Sequence, residues 1–294
     1  MNDANSPAGD VDFPIRACAW PRREPRPGTV RMITPEEFRT WILVEDDEVL
    51  VLNKPGDVVC HPSKNGPWSS LVGAAREHTG LPVMHLIFRL DRETSGIVVF
   101  AKKAALASRL QKAMQQRRVK KTYLAILTGE LPRPVTVDQP LGPDVTSPVF
   151  VKNAVRAGGQ FAVTHFAPLT SRAGFTVVRV GLETGRKHQI RAHAQWLGHL
   201  VVGDKIYGPD ARHYLTFIDH GFTAELADAL LLSRQALHCA AIDLTGSGYM
   251  RKFSAPLPDD LNRFICDRMG IEPGSVEGLE SGSDGDDHGL NPVI

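Results

Sequence analysis

The run Phe88-Arg89-Leu90-Asp91-Arg92-Glu93-Thr94-Ser95-Gly96 places one carboxylate between two guanidinium-bearing residues and then enters the apolar stretch Ile97-Val98-Val99-Phe100. Asp91 thereby stands in a short polar loop feeding a strand, and loops carried on rigid elements commonly hold functional side chains. A neighbouring arginine favours the ionised carboxyl, and an ionised, oriented carboxylate can act as a nucleophile or accept a proton. The same nine residues also read as a simple Asx turn before the strand. By themselves they leave both readings open.

A second constellation lies in Glu183-Thr184-Gly185-Arg186-Lys187-His188-Gln189-Ile190-Arg191-Ala192-His193. If 188–197 is a helix, Ile190, Ala194 and Leu197 share one face, and His188, Arg191 and Gln195 project from another. Gly198 would close it and Thr184-Gly185 would supply its first turn. Arg191 would then be held rigidly toward a carboxylate, which a guanidinium fits at two points. The plainer reading is a surface arginine.

Further blocks complete a pattern: Leu52-Asn53-Lys54-Pro55-Gly56, Lys121-Thr122-Tyr123-Leu124-Ala125, Gly198-His199, Val202-Gly203-Asp204-Lys205 and Tyr207-Gly208. Taken with the two above, and in this order, they closely resemble the RluA family of pseudouridine synthases, from about Trp41 to about Phe264. The resemblance implies the α+β catalytic fold of that family, a mixed and mainly antiparallel sheet with flanking helices and loops. It implies cofactor-free isomerisation of uridine in RNA, with Asp91 as the nucleophile, Tyr123 as the active-site tyrosine and Arg191 as the active-site arginine. Arg89 is similar in position to the family's arginine that fills the stack vacated by a flipped base. One departure is visible: the family usually has His before Arg-Leu-Asp, and Phe88 stands there. That bears on a polar contact near the loop and not on the nucleophile.

Charge is distributed unevenly. From Ile271 to Ile294 there are six acidic residues and no Lys or Arg, so removing that stretch takes the formal charge from +1 to +7. Arg89 to Lys121 is the basic concentration, ten Lys or Arg against Asp91 and Glu93. Clustered positive charge suits a polyanion. The stretch 103–116 alone reads as a solvated helix face, whereas Arg117, Arg118, Lys120 and Lys121, directly before Tyr123, read as an RNA-facing loop. Arg89, Arg92, Arg186 and His188 join them as expected RNA contacts. His188 and His193, five apart, make a poor ligand pair, so no metal is expected. Cys18, Cys60, Cys239 and Cys266 contain no C-x-x-C pair, which points to a reducing compartment, the cytoplasm, and away from structural zinc. No apolar stretch approaches a bilayer span and the N-terminus lacks a signal-peptide core, so neither membrane insertion nor secretion is expected. A monomer is expected.

The elements that must position these residues follow from periodicity and breakers. Residues 1–33 are Pro- and Arg-rich without period and read as an arm, 34–268 as the catalytic domain, and 269–294 as an acidic, Gly/Ser-rich, disordered tail. Ile42–Val44 and Val49–Leu52 read as strand, turn, strand. Trp68–His78 reads as a helix closed by Gly80. Ile97–Phe100 and Tyr123–Leu127 read as strands around a helix from Ala104 to Gln116. Phe175–Val180 alternates as a strand, and 132–159 reads as a long loop or irregular hairpin.

The resulting expectation is an RNA pseudouridine synthase acting on ribosomal or transfer RNA. The base must be flipped out, because a stacked uridine hides its reacting atoms. Two other classes stand beside it. An RNA-binding or chaperone protein of the same fold would have lost catalysis, against which Asp91, Tyr123 and Arg191 all weigh. An aspartate-dependent hydrolase would need a metal and a second carboxylate, for which Glu93 is the local candidate.

Overall fold

The computed structural model describes residues 31–61 and 65–272. The arm up to residue 30 and the tail from 273 onward lie outside the described residues. Along the chain come α1 (Pro35–Thr40), β1 (Ile42–Glu45), β2 (Val49–Lys54), α2 (Leu71–Thr79), β3 (His85–Leu86), β4 (Ser95–Ala101) and α3 (Ala104–Gln115). Then follow β5 (Lys120–Thr128), β6 (Val135–Asp138), β7 (Leu141–Pro143), β8 (Asn153–Val155), β9 (Val163–Arg172), β10 (Phe175–Leu182) and α4 (Gln189–Trp196). The chain continues through α5 (Arg212–His220), α6 (Ala224–Leu230), β11 (Leu237–Asp243), β12 (Lys252–Ser254) and α7 (Asp259–Met269).

Ten strands make one sheet in the order β1-β2-β4-β11-β5-β10-β9-β6, with β12 on β11 and β3 on β4. β7 and β8 form a separate hairpin. Among the described residues only β4 and β11 pair in parallel; β2 with β4, β11 with β5, and β5 with β10 are antiparallel. This is the mixed, mainly antiparallel α+β sheet that the sequence implies. β4 is buried along its whole length, which is why it reads as an unbroken apolar run and does not alternate. α2 starts where the Ser70 hydroxyl accepts the Gly73 N–H and stops at left-handed Gly80, a standard pair of start and stop devices. Among the described residues no helix is long and apolar enough to cross a membrane.

Several expectations change. Within 132–159 there are three short strands, and β6 joins the main sheet at its edge; segments of three or four residues between Pro and Gly are too short to show a period. The expected loop 117–121 shrinks, because Lys120 and Lys121 already belong to β5. Ile33, assigned to the arm, is buried and hydrogen-bonds Trp68 through its backbone. Met269, assigned to the tail, is buried at the end of α7. β9 and β11 were not foreseen. In β11 the polar His238 is fully buried between the Ser95 hydroxyl and the Ala255 carbonyl, so the strand lacks the alternation that marks half-buried strands.

Two apolar clusters result. The larger fills the main sheet, and a smaller one joins Leu141, Val149, Ala192, Ile206 and Tyr207. α4 belongs to both, with Ile190 and Ala194 in the first and Ala192 in the second. A helix clamped on two sides is a rigid platform for the arginine it carries.

Candidate active site

The loop that carries Asp91 has no ladder of its own, so its carbonyls are taken by buried side chains. Lys54 Nζ donates to Arg92 O at 3.0 Å, Arg234 Nη1 to Glu93 O at 3.2 Å, and Cys60 Sγ to Leu90 O at 3.5 Å. Lys54 also donates to the carbonyls of Pro55 and Val58, which ties the Asn-Lys-Pro-Gly block to this loop. Burial lowers its ammonium to about 8. The turn itself closes through the main chain, Thr94 N to Asp91 O at 3.2 Å. The Asp91 carboxylate is turned to Arg191, whose Nη1 donates to Oδ2 at 2.9 Å across 100 residues of sequence.

Burial alone would push the Asp91 carboxyl up. The Arg191 guanidinium, with smaller help from His188, outweighs that, and the group lies below the usual carboxylate range. His188 Nε2 stands 3.9 Å from the same Oδ2. Burial, reinforced by Arg191, pulls the His188 imidazole down to about 4, so it is neutral at physiological pH. Its Nδ1 lies 3.0 Å from the Tyr207 hydroxyl, which accepts the Asn153 N–H at 2.8 Å. The hydroxyl is thereby free to donate to Nδ1, which leaves the His188 proton on Nε2, facing Asp91.

The helix around Arg191 is built as the spacing indicates, with one shift. α4 begins at Gln189, and His188 occupies the position before it in a left-handed conformation, φ 58°. The helix has no side-chain cap, and the Gln189 side chain instead ties the turn before it to β9. Its Oε1 accepts from Thr184 Oγ1 at 2.8 Å and from Arg186 N at 3.0 Å, while its Nε2 donates to Val163 O and Thr164 Oγ1. His193 is structural, set between Thr164 Oγ1 and Gln139 O.

The two-point carboxylate partner of Arg191 is Asp204 and not Asp91. Nε and Nη2 meet Asp204 at 2.5 and 2.8 Å, which leaves Asp91 a single contact. The guanidinium also lies 4.9 Å from the Tyr207 ring centroid. Asp204 and Tyr207 stand in quoted sequence blocks, yet their roles depend on a loop folding back onto α4, which spacing does not reveal.

Asp91, Arg191 and His188 line a cleft of about 860 Å³ together with Arg89, Arg92, Arg117, Lys121, Arg186 and Lys187. Arg92 is also paired with Asp57 at 2.7 Å, and Arg117 reaches over the Phe161 ring. Arg118 and Lys120 are not brought to this cleft. The Arg118 guanidinium bonds Gly246 O, after Arg117 turns the chain at φ 58°. Lys120 and Lys121 are adjacent in β5 and so point to opposite faces. Lys121 Nζ sits 4.9 Å from the ring of Phe88, the residue that stands where the family usually has His.

Tyr123 is buried and does not line the cleft. It lies in one row across the sheet with Cys239 and Gly96, at the strand start fed by the Asp91 loop. Burial, then Cys239 and Asp91, push the phenol well up, so it stays protonated. Glu93, the second carboxylate that a hydrolase would need, is engaged by Lys205 Nζ at 2.6 Å and by Gln235 N. Among the described residues no group of three or more His, Cys, Asp or Glu is arranged to hold a metal ion.

Comparison with known proteins gives concordant results. Residues 48–196 match the RNA pseudouridylate synthase family. The chain is 37% identical over 227 residues to "Ribosomal large subunit pseudouridine synthase D" of Vibrio parahaemolyticus, covering 75% of this chain and 68% of that protein. It is 36% identical over 229 residues to the protein of the same name from Nitrosomonas europaea, covering 75% and 62%. Among solved structures, "Human RNA Pseudouridylate Synthase Domain Containing 4" shares the fold, with a TM-score of 0.63 at 24% identity, over 81% of this chain and 96% of that one.

Proposed function

This chain belongs to the RNA pseudouridylate synthase family, enzymes that isomerise uridine in RNA, and on that premise we propose that Asp91 is its nucleophile and ribosomal RNA its substrate. The ribosomal target rests on the names of the relatives, and the cytoplasm is the compartment where such a target is met. The observation that carries the catalytic assignment is the 2.9 Å contact between Arg191 and Asp91 in a cleft rich in arginine and lysine.

In this reading the target uridine leaves its stack and enters the cleft, Arg89 fills the gap, and the basic rim takes the phosphates. The rim comprises Arg92, Arg117, Lys121 and Arg186, with Arg118 and Lys120 serving RNA outside the cleft, while neutral His188 meets RNA as a hydrogen-bonding group beside Asp91. The ionised Asp91 bonds to the substrate as the N1–C1′ bond breaks, uracil turns, and the bond to Asp91 is released as C5 joins C1′. The hydrogen on C5 is lost and N1 gains one, so the product is an isomer and no group is consumed. Arg191 keeps Asp91 charged at neutral pH without titrating itself. Tyr123, kept neutral by burial, stands in the row it shares with Gly96 and Cys239 and backs the Asp91 loop from outside the cleft lining.

The test is Asp91→Asn, which keeps size and removes charge. Pseudouridine formation on transcribed large-subunit ribosomal RNA should vanish, while the melting temperature and most RNA affinity stay, since phosphate contacts dominate affinity. Activity within a few-fold of wild type would remove Asp91 from this role.

A further inference from the structure

The β7–β8 hairpin borders a second groove, of about 380 Å³, that shares Arg186 and Lys187 with the catalytic cleft. Its third cation is Arg156, and its lining contains no Asp or Glu. Among the described residues, none of the three cations has a carboxylate partner, whereas Arg92, Arg191, Arg234 and Lys205 nearer Asp91 all do. The groove is also built. A Cβ on Gly142 would meet Arg156 Cδ at 2.8 Å, so only glycine lets the arginine stem lie across β7, and its Nη1 donates to Pro143 O at 3.2 Å. Asn153 Nδ2 bonds Lys187 O at 2.9 Å, which fixes the lysine backbone to the hairpin.

At the tip of the same hairpin stands Phe150, 95% exposed. It is not a loose residue. Val149 before it is buried in the cluster around Tyr207, Val151 after it lines the catalytic cleft, and Lys152 N closes the turn on Val149 O at 3.0 Å. Leaving a phenyl ring in water forgoes its burial energy, so a ring displayed on an anchored turn of the hairpin whose strands border the cationic groove, one residue from the cleft-lining Val151, suits a partner with flat faces and negative charge.

We propose that this groove and Phe150 form an RNA subsite adjoining the catalytic cleft, with which it shares Arg186 and Lys187. Arg156, Arg186 and Lys187 hold the phosphodiesters of nucleotides flanking the target, and Phe150 stacks on one of their bases. The subsite rests on the pseudouridine synthase reading above, and it adds a reason for the enzyme to select its uridine by what lies beside it.

The experiment uses the full chain and transcribed large-subunit ribosomal RNA, with binding measured over a salt series and pseudouridine formation followed in single turnover. Arg156→Ala should raise Kd and KM several-fold and make the slope of log Kd against log salt shallower by about 0.7 to 0.9, one phosphate's worth. The saturating rate should fall far less. Lys112→Ala removes the same charge from the exposed face of α3 and should leave the slope unchanged. Phe150→Ala should weaken binding about 5- to 100-fold without altering the slope, and Phe150→Tyr should restore it. If Arg156→Ala behaves as Lys112→Ala does, or Phe150→Ala binds as wild type, the subsite is overturned. If wild type forms no pseudouridine, the functional reading fails instead.

Discussion

Arg191 and Asp204 are joined at two points, Nε to Oδ2 at 2.5 Å and Nη2 to Oδ1 at 2.8 Å. Asp204 is fully buried and also accepts the N–H groups of Ile206 and Tyr207, each at 2.9 Å. Four donors on one carboxylate leave it little freedom to move. The guanidinium is therefore fixed before any substrate arrives, and it presents its remaining Nη1 to Asp91. Fixed charge aimed at a reacting group needs no reorganisation during the reaction.

Asp204→Asn should expose what that fork contributes. Removing one partner of a buried ion pair costs about 3–5 kcal/mol, and for a chain of this size the melting temperature should fall by roughly 10 °C. Burial pushes the Asp204 carboxyl up, Arg191 opposes it, and the net value lies below the usual range. A depressed carboxylate contributes stability above its unfolded pKa of about 3.9 and loses it as pH falls through the lower folded value. The deficit of the variant should thus shrink from pH 7 to pH 3. Thermal melts at both pH values check this, and an equal deficit at both would mean that the charge of Asp204 is immaterial.

Gly96→Ala tests how the Asp91 loop is fastened to the sheet. Gly96 has φ 111°, and a Cβ there would lie 2.3 Å from Cys239 O and 2.5 Å from Cys239 N. Both atoms belong to β11, which pairs with β4 at this point, so backbone must give way. Strain of about 1–3 kcal/mol for the backbone conformation adds to the clash. Soluble yield and melting temperature should both drop sharply; a melting temperature within 2 °C of wild type, a shift worth roughly 1 kcal/mol, would show that the strands separate easily.

The approach of Arg191 to a carboxylate was legible because both residues stand in short polar blocks, although the fork went to Asp204 and Asp91 took the single contact; Tyr123 came only from the family resemblance, and it is buried away from the cleft lining. β4 and β5 were legible because each carries an unbroken apolar run, Ile97–Ala101 and Tyr123–Leu127, and α3 because its pattern extends over three turns. Asp204 was present in a quoted block without a role, since its partner lies 13 residues away across an irregular loop, and no period encodes that approach. Lys54 was seen only as part of a motif; its three carbonyl partners come from two loops that meet in the folded chain. Lys120 was grouped with Lys121 because charge runs are read linearly, while a strand sends neighbours to opposite faces.

His238 should make the fold sensitive to mild acid. Burial holds its imidazole down to about 4, opposed weakly by its bond to the Ala255 carbonyl. The unfolded chain takes up a proton near pH 6.5 and the folded chain does not until about pH 4, so stability is complete above 6.5 and is lost as pH falls between the two. The loss assignable to His238 is on the order of 3 kcal/mol by pH 4. Urea unfolding of wild type and His238→Gln across this window should show a shallower decline for the variant. Parallel curves would place the acid sensitivity elsewhere.

The pairing of Arg191 with Asp91 makes a prediction about pH. In Arg191→Leu, Asp91 keeps its desolvation and loses the charge that offsets it, so its pKa rises and the neutral, poorly nucleophilic form gains. Single-turnover rates on ribosomal RNA should fall steeply at pH 7 and recover in part as pH increases through the new, higher value. The same substitution strands Asp204, so the melting temperature should fall as well, and rates must be compared below the onset of unfolding. Arg191→Lys restores a charge without the fork geometry and should be intermediate in both rate and stability. RNA affinity should change much less than rate in either variant, because Arg191 is only 4% exposed and both its charge partners are protein carboxylates. If Arg191→Leu instead loses affinity in proportion to rate, with a pH profile that parallels wild type, the arginine serves a phosphate and the control of Asp91 lies with another group.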